Sequence, residues 1–179
     1  MLIYYLIFLF SFLLILFTGA ATFLLLWSIG TYLIVRVPYA PTPKIVAGEI
    51  IKAAEISPGQ TVYDLGCGDG RILFLAEKMG ARTVGYELSL WAYLQAKIIC
   101  RIKKSKTKIF CKNFLKDDIS EADVIFCFLL GRVIEDIGTK IKSSARPGTK
   151  IISYTFQFPG WQPYKIIQTS RAKTYFYRI

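Results

Sequence analysis

The chain has 179 residues, 54% of them hydrophobic, and a formal net charge of +11 from 23 Lys+Arg against 12 Asp+Glu. That length has room for one catalytic domain. It contains no histidine, which excludes Ser-His-Asp chemistry and His-based zinc sites, and Cys67, Cys100, Cys111 and Cys127 lack metal-ligand spacing, so no metal is expected and the thiols suit a reducing compartment.

Leu2 to Val35 is a run of 34 residues without formal charge, whereas roughly 20 apolar residues suffice to cross a bilayer. The run predicts a transmembrane anchor over residues 1–36. A straight helix of that length must tilt or protrude, unless it breaks near Thr18-Gly19-Ala20-Ala21 into a pair of short crossings. The lack of a polar turn cluster there favours one long helix. No Lys or Arg precedes the run, and it is too long for a cleaved signal peptide. Arg36, Lys44 and Lys52 follow it closely, so the positive-inside rule predicts a single pass with the catalytic domain on the cytoplasmic side.

Residues 37–60 read as linker and leading helix. Pro38, Pro41 and Pro43 impose an extended segment. Ile45, Val46, Ile50, Ile51, Ala54 and Ile56 then recur near helical spacing as far as the turn Ser57-Pro58-Gly59-Gln60. From 61 to 179 strands and helices alternate: strand 61–65, helix 71–78, strand 82–87, helix 88–104, strand 108–112, strand 123–130, helix 132–143 and strand 150–156. A final pair, 165–169 and 173–179, flanks Ser170-Arg171-Ala172 as a hairpin. The pattern predicts an α/β domain over 61–179 with a mostly parallel sheet, right-handed crossovers and a C-terminal antiparallel hairpin.

The first of these strands runs into Asp64-x-Gly66-x-Gly68-x-Gly70 and then a helix. Glycines at this spacing let the backbone turn sharply and lie against a ligand at a helix N-terminus. A dinucleotide loop would place its third glycine three residues after the second; here the interval is two. A phosphate loop would need Gly-Lys-Ser/Thr, which is missing. Seventeen residues after Gly70, Glu87 ends the second strand, where a carboxylate can accept both hydrogen bonds of a ribose diol.

The loop Val62 to Ile72 resembles the first motif of the class I, seven-stranded S-adenosylmethionine-dependent methyltransferases, and the resemblance covers Pro38 to Ile179. Together with Ala40-Pro41-Thr42-Pro43-Lys44, Gly85-Tyr86-Glu87, Ser120-Glu121-Ala122-Asp123-Val124 and Phe158-Pro159-Gly160-Trp161-Gln162-Pro163, it is similar to the membrane-tethered protein-lysine methyltransferases. That family includes the mitochondrial enzymes acting on the c-subunit of ATP synthase and on the adenine nucleotide translocase. The resemblance implies a Rossmann-like sheet and S-adenosyl-L-methionine as cofactor. It puts Gly66, Gly68 and Gly70, with Cys67 between them, under the cofactor, Asp64 at the loop and methionine end, and Glu87 on the ribose. The position that usually carries an acid for the adenine amino group is Asn113, whose side-chain oxygen can accept the same bond. Phe114 either flanks the adenine or belongs to the core.

The acceptor is expected at the C-terminal ends of the fourth and fifth strands, lined by Phe128, Leu129, Leu130, Gly131, Tyr154, Phe156 and Gln157. Aromatic faces there can hold a cationic amine or sulfonium. The Asp/Asn-Pro-Pro-Tyr signature of many nucleic-acid N-methyltransferases is absent. Thr42 and Trp161 either close over cofactor and substrate or anchor the chain. Asp123, at the opposite end of its strand, is structural. The basic run Arg101 to Lys108 reads as a solvated helix end or as a contact for anionic headgroups. The expected partners are therefore the bilayer, through the N-terminal helix, and a membrane or membrane-proximal protein substrate, with a lipid, quinone or other small amphiphile as the alternative acceptor. The tether argues against nucleic acid.

Overall fold

The computed structural model describes residues 1–35, 41–129 and 133–179. The chain divides into two compact units, Met1–Arg36 and Val37–Ile179.

The first unit is a single α-helix, α1 (Leu2–Val35), continuous through Gly19. Thr18 bonds back to the carbonyls of Leu14 and Ile15, and Thr22 to that of Thr18, which is how hydroxyls are accommodated in an otherwise apolar helix. Leu2–Gly30 is long and apolar enough to cross a membrane. Apolar side chains stand exposed all round it.

The second unit is built on a seven-stranded sheet. Its elements are α2 (Lys44–Ala54), β1 (Thr61–Leu65), α3 (Arg71–Lys78), β2 (Arg82–Glu87), α4 (Leu90–Ile102), β3 (Lys108–Cys111), a 3-10 turn Phe114–Lys116, β4 (Val124–Cys127), α5 (Val133–Ser144), β5 (Lys150–Tyr154), β6 (Lys165–Gln168) and β7 (Lys173–Arg178). The strand order is β3-β2-β1-β4-β5-β7-β6. Strands β1 to β5 are parallel, and β7 is antiparallel to both β5 and β6. The mostly parallel sheet with an antiparallel C-terminal hairpin is thus as expected, with β7 inserted between β5 and β6. Strand β4 stops at Cys127, shorter than the expected 123–130, so Phe128 and Leu129 belong to the loop beyond it. Leu130, Gly131 and Arg132 lie outside the described residues.

Helices cover both faces. On one, Val46, Ala47, Ile50 and Ile51 of α2 and Ile72 and Ala76 of α3 pack with Val62, Phe126 and Ile152. On the other, Ile134, Ile137 and Ile141 of α5 pack with Tyr63, Leu65, Ile125 and Ile151. The leading helix is therefore part of the core. Its C-terminal carbonyls, which an isolated helix leaves unsatisfied, accept from Lys165 Nζ (Ala53, 3.0 Å) and Lys150 Nζ (Ala54, 3.0 Å). Asp123, at the N-terminal edge, accepts from the Thr61 amide at 2.7 Å and pairs with Arg146, the structural role expected of it.

Candidate active site

Strand β1 lies at the centre of the sheet, between β2 and β4, where the strand order reverses direction; in such sheets the crevice beyond the strand C-termini receives the ligand. The loop leaving β1 folds back at once, because the amides of Gly66 and Cys67 both donate to the Tyr86 carbonyl at 2.9 Å. Gly66 and Gly70 have φ of 91° and 80°, a left-handed conformation that only glycine adopts without strain. A Cβ on Gly66 would sit 3.1 Å from Leu129 Cδ2, and one on Gly70 3.0 Å from the Phe74 ring. Gly70 is also the N-cap of α3, so the first amides of that helix open onto the loop.

Asp64 and Glu87 stand on the same side of the sheet, since Asp64 is in register with Gly85 and Phe126 and Glu87 lies two residues beyond Gly85. Asp64 is buried, and no described residue donates a hydrogen bond to its carboxylate. Burial, and then the nearby charges of Glu87 and Asp69, raise its pKa well above the usual carboxylate range. A buried acid left in this condition lacks a compensating donor or cation, which the amino group of a bound amino-acid moiety would supply. Glu87 accepts from the Gly68 amide at 2.9 Å through Oε2 and from the Ser89 amide at 2.8 Å through Oε1. Burial raises its pKa and these amide bonds oppose the rise. Each oxygen keeps a lone pair for a diol. The cradle fits S-adenosylmethionine.

Arg71 is a residue that sequence reasoning passed over. Its guanidinium grips Asp69 bidentately (Nε–Oδ1 2.8 Å, Nη2–Oδ2 2.6 Å) and donates through Nη1 to the Thr42 carbonyl at 2.5 Å. The segment before α2 is thereby fastened to the glycine loop, and Thr42 is buried there. The signal was present in the Asp69-Gly70-Arg71 triplet, but its partner 29 residues upstream is visible only after folding.

Other expected contacts have different places. The Cys67 thiol is sealed against Leu73 and Gly85 in a small core that includes Ala96 and Ile109. Its amide and carbonyl are occupied by Tyr86 and Gly70, so it seats the loop from beneath. Asn113 Oδ1 caps the 3-10 turn by accepting from the Leu115 amide at 2.9 Å, with a lone pair left over. Phe114 is buried among Tyr63, Tyr86 and Ile119, a core residue.

The edge beyond β4 and β5 is aromatic. Phe128 packs on Tyr154 (centroids 4.7 Å apart) and on Phe156 (6.1 Å). Thr155 between the latter two has φ of 72°, an outlier for a β-branched residue. It is held by its own amide bonded to the Lys173 carbonyl and by Ser153 Oγ bonded to the Phe156 carbonyl, and the kink turns Phe156 back over Phe128. Trp161 is elsewhere. It packs with Phe158 and Tyr177 (5.0 and 5.6 Å), beside Gly138 of α5, with Lys142 Nζ 5.0 Å over its ring. It therefore anchors the late loop, and Gln157 Nε2 donates to its carbonyl at 3.5 Å. Leu130 and Gly131 lie outside the described residues.

This sheet and loop define a class I S-adenosylmethionine-dependent methyltransferase. The ANTKMT methyltransferase domain matches residues 64–165, and the chain belongs to that family. It is 37% identical over 139 residues to a protein-lysine N-methyltransferase of Saccharolobus islandicus, covering 74% of this chain and 85% of that protein. It is 27% identical over 128 residues to the ATP synthase c-subunit lysine N-methyltransferase of Xenopus laevis, covering 70% of this chain and 56% of that one. The chain thus spans little more than half of the vertebrate relative. Among solved structures, an RNA methyltransferase from Salinibacter ruber in complex with S-adenosyl-L-homocysteine superposes with a TM-score of 0.75 at 29% identity, covering 78% of this chain and 94% of that chain.

Proposed function

We propose that this chain is a membrane-anchored protein-lysine N-methyltransferase whose acceptor is a lysine of a membrane protein or of a protein at the membrane surface. The observation that carries the reading is the 37% identity, over most of both chains, to a relative named for lysine methylation. The name of the Xenopus relative and the exposed apolar helix α1 support the membrane setting. In this reading residues 1–36 are the anchor in a single pass, 37–60 the linker and leading helix, and 61–179 the catalytic domain on the cytoplasmic side.

S-adenosylmethionine brings an electrophilic methyl group on a sulfonium, so the protein has to bind, align and keep water away. Glu87 takes the ribose diol, Asp64 faces the methionine amino group, Asn113 meets the adenine edge, and Gly66, Gly68 and Gly70 let the backbone lie close. Thr42, tied down by Arg71, closes one side. A lysine amine attacks only when neutral, and desolvation lowers its pKa in that direction. Phe128, Tyr154 and Phe156 form an apolar wall for the incoming amine, and their faces favour the cation that results.

The test is incubation of the purified full chain with radiolabelled S-adenosylmethionine and native membranes, followed by separation of protein, lipid and RNA. Label in protein, located on lysine by single-methyl mass increments, is the expected result. Label confined to lipid or quinone moves the acceptor to a small amphiphile, and label confined to RNA overturns the lysine assignment.

A further inference from the structure

Helix α4 is apolar on two sides. Its buried line is made of small residues, Ala92, Ala96 and Cys100. The opposite line carries large ones: Trp91 is 52% exposed, Leu94 37%, Ile98 58% and Ile102 76%. Spacings of three and four residues bring these four side chains onto one stripe. No described element covers it, and a contiguous exposed apolar patch on a domain marks a contact surface. The charge beside it has one sign. Residues 88–116 hold eight basic residues and no acidic one, with Lys97 and Arg101 flanking the stripe and Lys103, Lys104, Lys106 and Lys108 following it.

We propose that the outer face of α4 is a membrane-docking surface, which lays Trp91, Leu94, Ile98 and Ile102 into the headgroup region of an anionic bilayer. An acidic protein groove would match the charge but would not call for an exposed Trp and Ile at the rim of a basic cluster. A helix with a Trp-bearing apolar stripe flanked by Lys and Arg has the composition of interfacial helices, and anionic lipid supplies the complementary charge. The proposal deepens the membrane-anchored reading above and rests on it. Its consequence lies at the active site. Ser89, the N-cap of α4, donates its amide to Glu87, so the end of the helix that carries Trp91 borders the cofactor cradle. Docking would hold that rim at the membrane surface, where a lysine of a membrane protein emerges.

The test uses the full chain reconstituted into vesicles of phosphatidylcholine and phosphatidylglycerol containing a lipid with a photoreactive diazirine near its headgroup. After irradiation, adducts are mapped by mass spectrometry. Adducts are expected on both α1 and the 91–102 peptide. In the double variant Ile98→Asp/Ile102→Asp the α4 adducts should fall by about tenfold, with α1 adducts and the far-UV spectrum unchanged, and omission of phosphatidylglycerol should lower them too. Adducts on α1 alone overturn the docking surface and leave the anchor standing. Adducts on neither overturn the anchored reading itself. A dimer in detergent that the double variant dissociates assigns the stripe to a second copy and overturns the proposal.

Discussion

The two halves of the sheet's C-terminal edge are made of different material. On the β1–β2 side the surface is backbone and carboxylate: three glycines, Asp64, and Glu87 holding two amides. On the β4–β5 side it is rings: Phe128 packed on both Tyr154 and Phe156. In the function proposed above, the difference follows from what each half has to recognise. A nucleoside with an amino-acid tail offers hydroxyls and an amine at fixed positions, which directional hydrogen bonds read. A flexible alkyl amine offers one nitrogen, which must be stripped of water before it reacts.

That contrast breaks most sharply at Glu87. Glu87→Ala removes the acceptor for the Gly68 and Ser89 amides together with the proposed ribose contact, and should weaken S-adenosylmethionine binding by about 100-fold or more, roughly 3 kcal/mol. Calorimetry decides it; an affinity near the parent value would sink the assignment. Phe128→Ala with Tyr154→Ala should do the reverse. Acceptor kcat/KM should fall by about tenfold or more while cofactor affinity stays put, and a parallel loss of both would mean that the halves are not separable.

Asp64→Asn sharpens the comparison through pH. The folded-state pKa of Asp64 is raised, so its contribution to the stability of the cofactor-free protein is fully present below the unfolded value of about 4 and is lost as pH rises through the folded value. The neutral variant escapes that loss. Its cofactor-free Tm should exceed the parent's at neutral pH and converge with it in acid, although its cofactor affinity is lower, as thermal scans at several pH values with and without S-adenosylmethionine would show. The smallest effect is expected from Arg71→Lys, which keeps the charge but loses the fork that joins Asp69 to Thr42. A cost of about 1 kcal/mol should raise the cofactor KM roughly fivefold with kcat unchanged; a change in kcat instead would place the clamp in the chemical step.

The glycine-and-carboxylate half was legible in sequence because its determinants are local. Asp64-x-Gly66-x-Gly68-x-Gly70 needs particular backbone angles from consecutive residues, and Glu87 follows from the length of one strand-helix-strand unit. The aromatic half was legible only as a list of residues. Phe128 and Tyr154 lie together because β4 and β5 are neighbours in register, whereas Trp161 was drawn away to α5 by Phe158 and Tyr177. Cys67 is a similar case. Its neighbours in sequence are loop glycines, but its thiol fills the space left by Gly85, where a Cβ would come within 2.8 Å of the sulfur.

By itself, then, the amino-acid sequence determined the apolar helix of Leu2–Val35, the alternation of strands and helices, the glycine loop after β1 and the acid that ends β2. Each of these depends on hydrophobic period, backbone freedom or short spacing, which neighbouring residues set among themselves. The tertiary structure decided the insertion of β7 between β5 and β6, the tie from Arg71 to Thr42, the left-handed Thr155 that folds Phe156 over Phe128, and the outward-facing stripe of α4. Those depend on contacts between residues far apart in the chain, and on which side of a helix the sheet leaves uncovered.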